Sequence, residues 1–354
     1  MEHLIPKIQE IAGKISRAEE KRRKLAGFLK KADSDFPVSC PVEKSPPDGM
    51  KIAGVDGGIV KRSVHGFDFV LARAVGVCFF YGKGKVAKVE YYPERIPSPE
   101  LFALESLSDD EWIQSASIVR QKLEIRMAIE TAEKFRPDLL ILDGSIIPHY
   151  TDKPGKGSKA KEGYEEMILM YKKLFETCEK NGIMLAGVVE DSRGKRFCDI
   201  ANENIISKMK DSDKREFGKT LENMRDTSLL YWMLAEGERT FIFPYSSATE
   251  EHPVIKDFGS FADKIFSFYL KTAKFDRPVR IDFLGEESMA GKIASLILSI
   301  SSHHSGYGFP SVLIEADQAA KLEENDIEGV YDQILAYTGP LPGISKLRRD
   351  NRPF

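Results

Sequence analysis

Residues 137–145, Pro-Asp-Leu-Leu-Ile-Leu-Asp-Gly-Ser, constrain the fold more than any other stretch of the chain. Leu139 to Leu142 form an unbroken apolar run between an Asp on one side and Asp-Gly on the other. A strand that is apolar on both faces is covered on both faces, the habit of central strands in an α/β sheet. A second run of this kind, GIMLAGVVED at 182–191, follows one helix later. The helix before the first run covers 109–136, with apolar residues near helical spacing and Asp109 as the expected cap, and Pro137 stops it. The helix between the two runs spans about 164–181, after a basic, Gly-rich loop at 152–163.

Upstream, residues 50–92 read as a three-stranded meander. KIAGVD is its first strand, FDFVLARAVGVCFFY (67–81) its second and KVAKVEYY (85–92) its third. Gly82-Lys83-Gly84 joins two strands and lacks Walker spacing, so it is a hairpin turn rather than a phosphate loop. Downstream, the pattern predicts helices at 226–239, 257–273, 288–301 and 311–326, and strands at 240–246 and 278–284. Three meandering strands, a helix and then further β/α units is the order of the RNase H-like fold: an α/β protein with a mixed sheet flanked by helices. We expect that domain over 50–325, with a helical insertion at about 195–275 and a C-terminal tail at 326–354. Residues 1–35 form an N-terminal helical arm, in which Leu4, Ile8, Ile11, Ile15, Ala18, Leu25 and Leu29 trace a heptad seam broken at Arg22. That seam suits packing on its own domain or pairing with a second subunit. The proline-rich segment 36–49 reads as a linker.

The chain has 354 residues, 42% apolar and 30% charged, ample for a sizeable core. No apolar run approaches the ~20 residues that span a bilayer, and no signal-like segment opens the sequence, so a cytoplasmic protein without membrane contact is expected. Cys40, Cys78, Cys178 and Cys198 form no zinc-like pair. The net charge of −3 does not advertise nucleic-acid binding; it also does not exclude a nuclease, whose acids gather at the metal and whose bases surround it.

The acids carry the chemistry. Asp56, in KIAGVDGG, and Asp143, in LLILDGS, each follow an apolar strand and precede glycine. Strand-Asp-Gly alone is most often a turn signature. In the RNase H-like order, however, the first and fourth strands are neighbours, which sets both carboxylates at one sheet edge. Two such acids repel, and a hard divalent cation, Mg²⁺ or Mn²⁺, reconciles them. His303 and His304 have no ligand spacing and read as surface residues.

Beyond the acids, five segments in order resemble the NurA nuclease family, whose members work with the hexameric HerA translocase. IAGVDGG is similar to the family's first acidic motif, and LEIRMAIE…PDLLILDGS to its helix glutamate and second aspartate. LAGVVEDSRGKRF (185–197), RDTSLLYWMLAEGERT with RPVRIDF, and GFPSVLIEAD (308–317) resemble further family segments. Two departures stand out in the last: Phe309 occupies a usual Tyr position and Asp317 a usual His position. Glu190 stands where the family usually has Lys. The resemblance implies a metal-dependent DNA nuclease, 5′→3′ exonucleolytic with single-strand endonuclease activity, that acts in end resection and recombinational repair. It implies catalytic and metal-binding roles for Asp56, Glu124, Asp143 and Asp317, with Glu130 as the rival helix carboxylate and Phe309 as a secondary site position. It further implies two Mn²⁺ or Mg²⁺ ions, DNA contacts by Arg126, Arg193 and Lys195, a homodimer closed through the N-terminal arm, and a HerA-type ATPase partner.

Two other readings share the pattern. A sugar-kinase/actin-type phosphotransferase has the same sheet core, but this chain lacks a second duplicated core. A non-catalytic repair adaptor on the same scaffold would explain the departures at 309 and 317, yet the four carboxylates are retained.

Overall fold

A computed structural model of the protein describes residues 2–32, 37–105, 107–209, 211–222 and 224–348. Residues 33–35 of the arm, residue 36 of the linker and the end of the tail, 349–354, lie outside these. The chain opens with α1 (Ile5–Leu29), then the short strand β1 (Ser39–Pro41). The meander follows as β2 (Lys51–Ser63), β3 (Phe67–Gly82) and β4 (Lys85–Tyr92), with an added strand β5 (Glu100–Glu105). Next come α2 (Asp109–Phe135), β6 (Leu139–Asp143), α3 (Lys161–Asn181) and β7 (Met184–Val189). The helices α4 (Arg196–Asn204), α5 (Asp211–Glu222) and α6 (Asp226–Met233) lead to β8 (Glu238–Thr240) and β9 (Phe243–Pro244). Strands β10 (Ile265–Leu270) and β11 (Val279–Leu284) are followed by α7 (Ala290–Ser301), α8 (Ser311–Ala320) and α9 (Glu324–Thr338).

The strands form one mixed sheet in the order β1-β8-β10-β11-β7-β6-β2-β3-β4, with β5 on β3 and β9 on β10. The two all-apolar runs, β6 and β7, are central and parallel to each other and to β2. The register aligns Val55 with Leu142 and Asp143 with Val188. Apolar residues on one face pack with α2 and α3, and those on the other with α7 and α8. An α/β protein with a mixed sheet flanked by helices is therefore present as expected.

Several elements differ from the pattern reading. The 36–49 segment holds β1, an edge strand where a proline is tolerated, paired with β8. The stretch 257–273 was read as helical; it is a short 3₁₀ segment interrupted at Gly259, then β10. Its alternating aromatic residues, Phe266, Phe268 and the buried Tyr269, fit a sheet as well as a helix, and pairing with β11 decides it. In the described part of the tail, α9 packs on the far ends of β2 and β3 through Ile327 and Tyr331, and the Tyr331 hydroxyl donates to Ile344 O at 2.8 Å. The cap of α2 is Ser108, whose hydroxyl accepts from Glu111 N, rather than Asp109.

The largest difference bears on the site. Strand β2 does not stop at Asp56-Gly57 but runs on to Ser63, paired with β3 throughout. Of the two Asp-Gly pairs only the second is a turn, with Gly144 at φ 92°. Gly57 and Gly58 are extended, and their value is the room they leave. A Cβ on Gly58 would lie 2.0 Å from the backbone oxygen of Ala320, the last residue of α8. That atom cannot swing aside, so Gly58→Ala is expected to push the end of α8 off the sheet and cost about 1–3 kcal/mol, the usual range for overpacking. Urea melts check this; a midpoint at the wild-type value would mean that α8 adjusts freely.

Candidate metal centre

The site gathers where β6 ends. Side chains on β2 alternate between faces: a Cβ at Gly54 would touch Val312 and Leu313 of α8, whereas one at Gly57 would strike Glu124 of α2. Asp56 shares its parity with Gly54 and so belongs to the α8 face. Asp143 shares its parity with Leu139 and Ile141, which pack on that same face. Asp317 stands on α8 itself. Glu124 comes from the opposite face and reaches the others through the gap left by the missing side chain at Gly57, where a Cβ would lie 2.6 Å from Glu124 Oε1.

The charges register this convergence. Asp56 is buried, 6% exposed, and its Oδ1 accepts from Gly57 N at 2.7 Å. Burial raises its pKa, and Asp317 adds to the rise. Burial drives Glu124 up to about 8, against the pull of Arg120, with Asp56 and Asp143 adding to the rise. Asp143 opens to solvent on one side and is packed by protein on the other. That packing and the neighbouring Asp56 push it up to about 7. Arg120, one turn before Glu124 on α2, donates to Glu124 Oε1 at 2.8 Å and also feels Asp56 and Asp143. It serves as an internal counter-ion, and no motif in the sequence marked it.

Tyr307 is the second residue the pattern passed over. Its hydroxyl hydrogen-bonds with Glu190 and lies within electrostatic reach of Asp143 and Asp317; burial and then Glu190 push it up to about 12. The turn that presents it is pinned: His304 Nδ1 accepts from Gly306 N at 3.1 Å, and Asp276 Oδ2 accepts from Gly308 N at 2.8 Å. Phe309, by contrast, lies 5% exposed in the apolar core between the sheet and α7–α8, and offers no polar atom.

The other expected residues divide. Arg126 is two positions from Glu124, about 200° around the helix. It pairs with Glu100 on the strand side, away from the acids. Glu130 is turned about 240° from Glu124; the acids therefore draw on Glu124. Arg193 and Lys195 are exposed on the loop after β7, which leaves the sheet beside Asp143, and Lys195 Nζ donates to Glu222 O. A cavity of about 220 Å³ opens beside the acids, lined by Arg120, Glu124, Asp143, Ser145, Tyr245 and Arg280. A larger hollow of about 530 Å³ lies against the basic loop at 153–157, but it holds none of the four acids.

By their chemistry the residues fit a hard divalent cation: four carboxylates, held where they repel one another. Among the described residues, no three His, Cys, Asp or Glu side chains stand close enough together to enclose an ion as placed.

A mixed sheet of this order, flanked by helices on both faces, is the fold of the RNase H-like class. The NurA domain family matches residues 50–322, and the chain belongs to that family. Solved structures agree in fold. The NurA nuclease from Sulfolobus solfataricus superposes with a TM-score of 0.59 at 15% identity, covering 95% of this chain and 97% of that one. A NurA bound to dAMP and manganese gives 0.52 at 13% identity, covering 97% and 99%. No curated protein sequence matches the chain. Family membership also sets aside the phosphotransferase reading.

Proposed function

We propose that the protein is a divalent-metal-dependent deoxyribonuclease. It hydrolyses phosphodiester bonds from 5′ ends and within single strands, acting with a HerA-type hexameric translocase in DNA end resection. The observation that carries this reading is the convergence of Asp56, Glu124, Asp143 and Asp317, from both faces of the sheet, at one strand end. A related NurA with dAMP and manganese supports both the metal and the nucleotide chemistry.

The four carboxylates are the holding groups, enough for two Mn²⁺ or Mg²⁺ ions. Bound there, the metal would polarise the phosphodiester and lower the pKa of the attacking water. Asp56 and Asp143 contribute charge from fixed strand positions, so they are organised before substrate arrives. Glu124, now paired with Arg120 at 2.8 Å, would help hold the ion, and Arg120 is the cation beside it that would meet phosphate. Tyr307 keeps Glu190 in a hydrogen bond, which restrains an acid that would otherwise face incoming DNA. Arg193 and Lys195, exposed on the loop beside Asp143, meet the backbone of the strand. The test is release of nucleotides from a 5′-labelled single-stranded oligonucleotide with Mn²⁺. No cleavage with either Mn²⁺ or Mg²⁺ would refute the reading.

A homodimer is part of the proposal. The second half of α1 is fastened to its own domain by Leu25, Ala26 and Leu29, packed with the α4–α6 helices. The first half exposes Leu4, Ile8, Ile11 and Ile15 at 43%, 58%, 46% and 58% along a heptad stripe. Such a stripe is covered most economically by its own copy. Replacing Ile8 and Ile15 with glutamate is expected to convert dimer to monomer in light scattering at micromolar concentration, with Mn²⁺ affinity unchanged. A mass unchanged by the double substitution would remove the arm from the interface.

A further inference from the structure

Arg280 belongs to β11, in the segment Arg-Pro-Val-Arg-Ile-Asp-Phe, and none of the chemistry above uses it. It pairs in register with Val189, the last residue of β7, and β7 in turn aligns with β6 at Asp143. Its side chain lines the 220 Å³ cavity together with Arg120, Glu124 and Asp143. The guanidinium is held from behind. Nη2 donates to Asp282 Oδ2 at 2.9 Å, and Asp282, fully buried, is itself fixed by the Ser267 hydroxyl at 2.7 Å. Its Cζ lies 5.4 Å from the centroid of the Tyr245 ring.

What is left over is informative. Nε is buried and has no hydrogen-bond partner, Nη1 donates to the Ser192 hydroxyl at 3.4 Å, and the guanidinium also hydrogen-bonds with the Tyr245 side chain. A guanidinium carries five donors in a rigid fork. An orphaned buried donor is costly; the Nε atoms of Arg62, Arg73 and Arg196 share that state, and what sets Arg280 apart is its place in the cavity beside the acids. Here the fork is oriented by Asp282, Ser192 and Tyr245 and keeps donor capacity in reserve, beside acids that would be neutralised once metal is loaded. Planar bidentate donation is the chemistry of phosphate recognition. We infer that Arg280 is a substrate-binding residue, its guanidinium donating to the non-bridging oxygens of a DNA phosphate in the cavity beside Glu124 and Asp143. The inference rests on the nuclease reading above and adds to it the group that grips the strand.

The test uses the full chain with Arg280→Lys, Arg280→Gln, and Arg280→Gln combined with Asp282→Asn. The double variant removes the carboxylate that the single change would strand, and so protects folding. Thermal melts establish that each variant is folded. Steady-state cleavage of a labelled oligo-dT with Mn²⁺ gives KM and kcat separately, and oligo-dT binding in EDTA is followed from low to moderate salt. The double variant is expected to raise KM about tenfold, the worth of one charge-assisted hydrogen bond. It should also flatten the log-affinity against log-salt slope by about 0.7, one phosphate contact on a single strand. Arg280→Lys should keep the slope but not the wild-type KM, since an ammonium cannot reproduce the fork. A structural role alone would lower the melting temperature and leave both KM and slope unchanged in the folded protein; that result overturns the inference. A wild-type protein that cleaves no DNA overturns the nuclease reading, and this inference with it. An active wild type with indifferent Arg280 variants overturns this inference alone.

Discussion

Replacing Asp56 with asparagine is expected to abolish metal-dependent cleavage while raising the stability of the metal-free protein. The two effects have one cause. Asp56 is 6% exposed, and the fold raises its pKa by burial and by the neighbouring Asp317. Asparagine keeps the shape, and its oxygen can still accept from Gly57 N, the bond that Asp56 now receives at 2.7 Å. What it removes is charge: the repulsion that the folded state carries and the ligand that a cation needs. A fall of at least ~10³-fold in rate, about 4 kcal/mol of transition-state stabilisation, is the expected size. The gain in stability in EDTA is expected to be about 1 kcal/mol, since replacing a poorly compensated buried charge with a neutral isostere is often stabilising. Urea melts with and without Mn²⁺ read the second effect and oligonucleotide cleavage the first. Loss of activity with a lower midpoint in EDTA would show instead that Asp56 is a structural residue.

That opposition of signs explains why Asp56 and Asp143 were visible in the sequence while much of the site was not. Both acids follow apolar strands, and the order of elements places those strands side by side, so residue type, context and topology all pointed to them. The Asp56-Gly57-Gly58 sequence carries a turn signature, which hides that β2 continues to Ser63; pairing with the long β3 keeps it extended. The meaning of Gly57 was hidden for the same reason. Read as turn residues, Gly57 and Gly58 explain nothing further, whereas in an extended strand they are the openings through which Glu124 and the end of α8 approach. Arg120 had no local signature, and Arg280 stood in the RPVRIDF segment without a role attached to it. One is a charged residue on a helix full of them, the other a basic residue within a strand, and each acquires its role only from what lies across the cavity. Tyr307 lies one residue outside the GFPSVLIEAD segment, where Phe309 occupies the usual Tyr position. The structure seats Phe309 in the core and brings the Tyr307 hydroxyl to Glu190, beside the acids.

Mn²⁺ affinity is expected to climb steeply between pH 6 and 8. Glu124 is raised to about 8 by burial, opposed by Arg120 and reinforced by Asp56 and Asp143, and Asp143 to about 7 by burial and Asp56. Both groups have ordinary values near 4 in the unfolded chain. Between about pH 4 and 8, therefore, the folded protein binds protons that the unfolded chain has released. The stability this contributes is complete below about pH 4 and is lost as pH rises through 7 and 8. A cation must displace those same protons, so its affinity moves the other way, by about tenfold per pH unit for each proton released. From pH 6 to 8 the Glu124 proton alone gives roughly 100-fold, and Asp143 adds roughly another tenfold below pH 7. Calorimetric titration with Mn²⁺ at pH 6, 7 and 8 measures the slope, and the heat in buffers of different ionisation enthalpy counts the protons. Glu124→Gln separates the contributions: it should weaken binding at pH 8 yet flatten the dependence, because one of the displaced protons is gone. In EDTA the wild-type protein should melt at a lower temperature at pH 8 than at pH 6, and saturating Mn²⁺ should narrow or reverse that difference. An affinity that is flat across this range would mean that the carboxylates are already ionised in the metal-free fold, and that their convergence is too loose to form the shared site that the nuclease reading requires.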